Sequence, residues 1–327
     1  MLLDAAAPGA LAQASHALVQ GQLVAIPTET VYGLAARADD DAAVAHIFSA
    51  KGRPADHPLI VHVADAEAAH HFAAEVPEVA RRLMQAFWPG PLTVIVRRRE
   101  GVATAAAGGQ PTVGLRCPAH PIAQALLRDC ARQGVYGLAA PSANRFGRVS
   151  PTQAQHVASE FGPELLILDG GACEVGIESS IVDCSRGAPV LLRPGLLTRA
   201  KIEAAAGEVL AQADASAPKA SGTLEAHYAP QALVRLMSAA QIQARLGDGA
   251  AAGVAVYSRT ALPQAVWRRS MPSQAAAAAH ELFAALRELD ALGAKEIWIE
   301  IPPSDSEWDG VRDRLTRAAA AFASPAA

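Results

Sequence analysis

Lys51 and Arg53 stand two residues apart with Gly52 between them and Pro54 behind. A compact ammonium and a forked guanidinium at that spacing can flank a phosphate chain, and Gly and Pro restrict where the backbone points. A solvated surface pair is the plain alternative. Read from sequence, both cations are exposed residues of a cleft. Ser142 and Asn144, in Pro141-Ser142-Ala143-Asn144, follow a strand end, where ligands sit in open α/β sheets. Their hydroxyl and amide suit phosphate or ribose, or else cap local backbone. Ser150 offers the same choice. Thr112, Arg116 and Arg193 lie on or at the ends of predicted strands, where a cation needs a carboxylate or an anionic ligand. His57 and His62 flank an apolar strand, and a lone His there is more often structural than a ligand.

Several chemistries lack their residues. No G-x-x-x-x-G-K-[ST] loop and no G-x-G-x-x-G occurs. Ser179 and Ser180 have no Gly-x-Ser-x-Gly elbow, which argues against a serine hydrolase. Cys117, Cys130, Cys173 and Cys184 form no C-x-x-C pair and no zinc spacing, so they read as free thiols in a reducing cytoplasm. No metal site is expected. A net charge of −4 over 327 residues does not suit a chain that coats nucleic acid, although Arg97 to Arg99, Arg145 and Arg148 could form a local basic surface. Neither a signal peptide nor a membrane-spanning run is apparent.

The elements that position these residues alternate. Strands are predicted over residues 23–27, 59–63, 92–96, 112–116, 137–140, 165–168, 180–184 and 190–193. Helices are predicted over 41–50, 79–87, 121–128 and 151–160, the last with Ser150 as cap and Pro151 in its first turn. That order predicts an α/β domain with a mixed sheet over residues 1–204. Residues 205–230 read as a linker, small and polar until a distinct block from Ser221 to Pro230. From 231 to 327, strands at 232–236, 253–257 and 296–301 alternate with helices at 239–246, 273–289 and 307–321, a smaller Rossmann-like domain.

Taken together and in order, the blocks PTETVYGL, KGRP with HPLIVHV, WPGPLT, TVGLRCP, PSAN with SPT, ESSIVD, LLRPG and ASGTLEAHYAP resemble the threonylcarbamoyl-AMP synthases of the long form. The resemblance implies a YrdC-like mixed twisted sheet with flanking helices, a C-terminal accessory domain, and a linker folding over the active site. It implies formation of threonylcarbamoyl-adenylate and pyrophosphate from L-threonine, bicarbonate or carbon dioxide, and ATP. Magnesium would arrive with the ATP, and downstream threonylcarbamoyl-transfer proteins would pass the product to tRNA in the cytoplasm. Direct tRNA contact stays open. Carried over by position, Thr30, His62, Arg116, Ala140 and Ser180 are expected around threonine. Lys51, Arg53, His57, Thr112, Ser142, Asn144, Ser150, Arg193 and Tyr228 are expected around ATP, with Lys51 and Arg53 as the catalytic pair. The rival reading is an RNA-binding or ribosome-associated module using the basic cleft.

Overall fold

The computed structural model describes residues 1–248, 252–262, 265 and 267–322. They divide into two compact units, one of residues 1–146 with 151–223, the other of 147–150 with 224–327. The described residues of the second unit end at Phe322.

Ten strands of the first unit make one mixed sheet. They are β1 (Leu2–Asp4), β2 (Val24–Ile26), β3 (Gly33–Arg37), β4 (Ile60–His62), β5 (Leu92–Arg97), β6 (Thr112–Arg116), β7 (Leu138–Ala139), β8 (Leu166–Asp169), β9 (Ser180–Asp183) and β10 (Val190–Arg193). Their order is β1-β8-β2-β3-β7-β4-β6-β5-β9-β10. The helices are α1 (Ala10–Val19), α2 (Asp41–Lys51), α3 (Glu78–Phe87), α4 (Pro121–Arg132), α5 (Ala154–Phe161) and α6 (Arg199–Ala206). One apolar cluster joins α2, α3 and α6 to the sheet through Val44, Ile47, Leu83 and Ile202, and another joins α1 and α4 through Leu18, Leu126 and Leu127. Burial on both faces explains why strands such as β2 are apolar throughout instead of alternating.

α2 shows how local chemistry places a functional residue. The Asp40 side chain accepts from the backbone N–H groups of Ala42 and Ala43, and Gly52 ends the helix with φ of 63°. Lys51 is therefore the last helical residue, where a cation also suits the helix dipole.

Five elements of the first unit differ from the sequence reading. α5 begins at Ala154, with Gln153 before it and no side-chain cap, so Ser150 and Pro151 do not open it. The Pro151 and Thr152 carbonyls instead accept from the amides of Tyr32 and Cys173, which holds that stretch extended. β1 with α1, β3 and α6 were not anticipated. β3 pairs antiparallel with β2, and its first residue, Gly33, packs against Ala140: a Cβ on Gly33 would lie 3.1 Å from the Ala140 Cβ. α6 extends into the stretch read as linker and ends at Ala206.

The second unit holds a parallel four-stranded sheet, β11 (Leu233–Met237), β12 (Val254–Ser258), β13 (Trp267–Ser270) and β14 (Glu296–Glu300), in the order β11-β14-β12-β13. α7 (Ala239–Gly247), α8 (Ala275–Ala291) and α9 (Asp309–Ala320) flank it. β13 was not anticipated, since its sequence, Trp-Arg-Arg-Ser, has no apolar alternation.

Candidate active site

Strand register assembles the floor of the site. His62 on β4 lies opposite Arg116 on β6, Arg116 opposite Thr93 on β5, Thr93 opposite Ile181 on β9, and Ile181 opposite Arg193 on β10. Residues in one such row project to the same face of a sheet. The β9–β10 register shifts between Leu191 and Arg193, a bulge that sets Arg193 beside Ile181. Two residues further along β6, Gly114 leaves room on this face, and Thr112 lies two beyond. A groove lined by Ile60, Thr93, Ile95, Thr112, Gly114 and Ile181 runs there, closed on another side by Lys219 to Ser221.

Arg116 is buried at the His62 end. Its Nη2 donates to Glu29 Oε1 at 2.6 Å and its Nε to the Gly90 carbonyl at 3.3 Å. Glu29 lies in the loop between β2 and β3. In the same loop, the hydroxyls of Thr28 and Thr30 are 2.9 Å apart and buried, and Thr28 Oγ1 donates to the Val31 carbonyl at 2.6 Å. Burial first, and then the Arg116 charge, push the His62 imidazole down to about 3, so it is neutral at physiological pH. Its Nδ1 is buried with no hydrogen-bond partner, as is Glu29 Oε2. Ala140, just past β7, contributes its amide to the Ile60 carbonyl at 3.0 Å.

Ser180 opens β9, and its hydroxyl donates to the Leu197 carbonyl at 3.3 Å. Arg193 donates from Nε and Nη2 to the Ser179 carbonyl at 3.1 and 2.9 Å, from Nη2 to Ser179 Oγ at 3.2 Å, and from Nη1 to the Ser221 carbonyl at 2.8 Å.

The second cationic group gathers around α2. Lys51 Nζ donates to the carbonyls of Ser142 and Asn144, each at 2.5 Å, and the Phe146 amide donates to the Lys51 carbonyl at 2.9 Å. Arg53 donates from Nη2 to the Pro58 carbonyl at 2.9 Å and to Ser221 Oγ at 3.2 Å, and stacks over Phe146 at 5.5 Å. His57 meets the same ring edge-on at 5.5 Å, and burial followed by the Arg53 charge lowers its pKa. Exposure corrects the sequence reading: Lys51 and Arg53 are 3% and 8% exposed, so they are buried residues. Desolvation, and then repulsion from Arg53, depress the Lys51 pKa well below its ordinary value. An anion placed beside the pair would restore the charged form.

The first unit thus brings Lys51 together with Ser142 and Asn144, Arg53 with His57, and His62 with Arg116, while Thr112 lines the groove. Ser150 and Tyr228 belong to the second unit. Tyr228 is buried there with φ of 63°, between the Phe283 ring at 5.4 Å and the Arg314 guanidinium at 5.4 Å. The Ser150 carbonyl accepts from Arg287 Nε at 3.4 Å. Glu29, Ser179, Phe146 and Ser221 were not among the substrate-contacting residues expected from sequence. Glu29 was legible as the one acid between two threonines in the loop block.

Residues 16–195 match the Sua5/YciO/YrdC family profile, described as telomere recombination. The chain belongs to the Sua5/YciO/YrdC family. Residues 197–320 match a further profile, described as the threonylcarbamoyl-AMP synthase C-terminal domain, so this Sua5/YciO/YrdC member has the long, two-domain form. The threonylcarbamoyl-AMP synthase of Pyrococcus abyssi is 47% identical over 221 residues, which are 66% of this chain and 64% of that protein. The one from Bacillus subtilis is 42% identical over 228 residues, 68% of this chain and 65% of that protein. The chain thus spans slightly less than two thirds of the length of these curated relatives. The crystal structure of P. abyssi Sua5 complexed with L-threonine matches with a TM-score of 0.87 and 37% identity, covering 95% of this chain and 94% of that one. E. coli YciO, at 22% identity and a TM-score of 0.50, shares the fold of the family domain over 60% of this chain.

Among the described residues, no group of three or more His, Cys, Asp or Glu side chains is placed to hold a metal ion. No described helix is long and apolar enough to cross a membrane.

Proposed function

We propose that this chain is a nucleotidyltransferase that makes threonylcarbamoyl-adenylate and pyrophosphate from L-threonine, bicarbonate or carbon dioxide, and ATP. The observation that carries the reading is the single sheet face that holds a neutral His62 beside a buried Arg116, with Arg193 on the same row and the Lys51–Arg53 pair in the same unit. Membership of the family supports it, as does the likeness to P. abyssi Sua5 complexed with L-threonine.

The chemistry needs no protein nucleophile. The threonine amine captures carbon dioxide, and a carbamate oxygen attacks the α-phosphorus of ATP. The new oxygen–phosphorus bond forms as the bond to the bridging oxygen breaks, and the electron pair leaves on pyrophosphate. The protein's part is positioning and electrostatics. Arg116 and the Thr28–Thr30 loop suit the zwitterion. Lys51, Arg53 and Arg193 suit the triphosphate, with Ser142, Asn144 and Thr112 in the same unit. Buried cations act through a low dielectric and are stronger there than in water. Magnesium would enter as the counter-ion of the ATP phosphates. We place the enzyme in the cytoplasm, ahead of the proteins that transfer the threonylcarbamoyl group to tRNA.

Burial of Lys51 and Arg53 favours this reading over a basic cleft for RNA, because a nucleic-acid backbone needs exposed cations. Pyrophosphate release measured with and without L-threonine and bicarbonate tests it. Release that ignores both would sink the proposal.

A further inference from the structure

The sheet of the second unit has an open edge. β11 pairs with β14 on one side, in unbroken register from Leu233 opposite Glu296 to Met237 opposite Glu300, and no described strand pairs with its other side. Such an edge presents a row of backbone donors and acceptors and is a template for another strand. Natural edges are usually blunted by proline, a bulge or an outstanding charge. β11 has neither proline nor bulge. Its one charge, Arg235, is drawn along the sheet by Glu296, with Nε to Oε2 at 2.9 Å and Nη2 to Oε1 at 3.2 Å. The other edge strand, β13, carries two arginines.

The edge is also flanked. The crossover from β11 through α7 to β12 and the crossover from β13 through α8 to β14 run in opposite directions across the sheet. Right-handed connections therefore put α7 and α8 on opposite faces. α9 packs on α8 and on β11, so it shares the α8 face. A groove results along β11, with Gln241 and Arg245 of α7 on one flank and Ala319 and Phe322 on the other. Arg245 sits over the Trp298 ring at 5.8 Å, on the face that also bears Arg235. Both charged residues of the groove are cationic.

We propose that the β11 edge receives an extended segment of a partner protein as a fifth strand, and that this segment alternates acidic and apolar residues. Period-two alternation sends every second side chain to Arg235 and Arg245, and the others to Ala319 and Phe322. A second copy of this chain fits less well. Antiparallel self-pairing about Arg235 sets arginine against arginine, and like charges directly opposite are destabilising.

The test uses the full chain and a short fluorescein-labelled peptide alternating glutamate and valine. Controls are the same residues in two blocks, the alternating peptide with every second peptide nitrogen methylated, and a labelled oligouridine. Saturable anisotropy with the alternating peptide alone is expected. Arg245→Glu should weaken it at least about tenfold while threonine-dependent pyrophosphate release is unchanged, because Arg245 lies outside the proposed site. Equal binding of the block or methylated peptide, tighter binding of the oligonucleotide, no loss in Arg245→Glu, self-association through this edge, or no binding at all would overturn the proposal.

Discussion

Arg116 Nη2 donates to Glu29 Oε1 at 2.6 Å with both side chains buried, while Glu29 Oε2 has no partner. The pair joins the loop after β2 to the end of β6, 87 residues apart in the chain. Removing one member strands the other as a buried charge.

Arg116→Ala should therefore lower stability by about 3–5 kcal/mol and abolish threonine-dependent turnover. Glu29→Gln separates the two effects. It keeps an acceptor for Nη2 but removes the compensating charge, and it should lower stability and alter the KM for threonine more than that for ATP. Denaturant titration and separate KM measurements decide the point; equal shifts in both constants would count against a threonine-side role.

Lys51→Ala should reduce turnover at least about a hundredfold, the scale of losing one preorganised charge at a reacting phosphoryl group. Because the ammonium is buried and satisfies two carbonyls, the variant should also lose about 1–3 kcal/mol of stability. Near-wild-type pyrophosphate release from folded Lys51→Ala would remove this residue from the catalytic role.

His62 gives a pH signature. Its folded pKa, about 3, lies below the ordinary value of 6.5, so the unfolded chain binds the extra proton between these limits. Its contribution is fully present above pH 6.5 and is lost as pH falls toward 3, with a slope of up to ~1.4 kcal/mol per pH unit. His62→Gln should flatten that limb of the stability profile. A variant as acid-sensitive as the parent, by urea denaturation at pH 7 and pH 5, would contradict the assignment.

Gly195 faces Ser180 closely. A Cβ at Gly195 would lie 2.6 Å from the Ser180 amide nitrogen, 2.8 Å from its hydroxyl and 2.9 Å from the Glu178 carbonyl, and two of these are backbone atoms that cannot swing aside. Gly195→Ala should cost about 1–3 kcal/mol and displace the start of β9. Thermal melting reads the first effect and the KM for threonine the second; an unchanged Tm would show that the backbone yields freely.

Much of the frame was written locally. The Asp40 cap, the apolar positions of α2 and Gly52 act within a few residues of one another, so the helix and the place of Lys51 at its end followed from sequence. Strands with apolar runs were legible for the same reason. β13 was not, because its residues lack alternation and it exists only where β12 pairs with it. Ser150 and Pro151 looked like a helix start, yet long-range hydrogen bonds to Tyr32 and Cys173 hold the following stretch extended.

By itself, the sequence determined which groups are present: the cations, the hydroxyls, the glycines that let backbones approach, and the periodicities that make the elements. Tertiary structure alone decided how those groups are used. It put Lys51 against carbonyls 91 and 93 residues away, buried Arg53, matched Glu29 to Arg116 and aligned His62 with Arg116 across two strands. Burial and strand register are properties of segments far apart in the chain, and no local spacing encodes the desolvation or the partner that sets a side chain's charge.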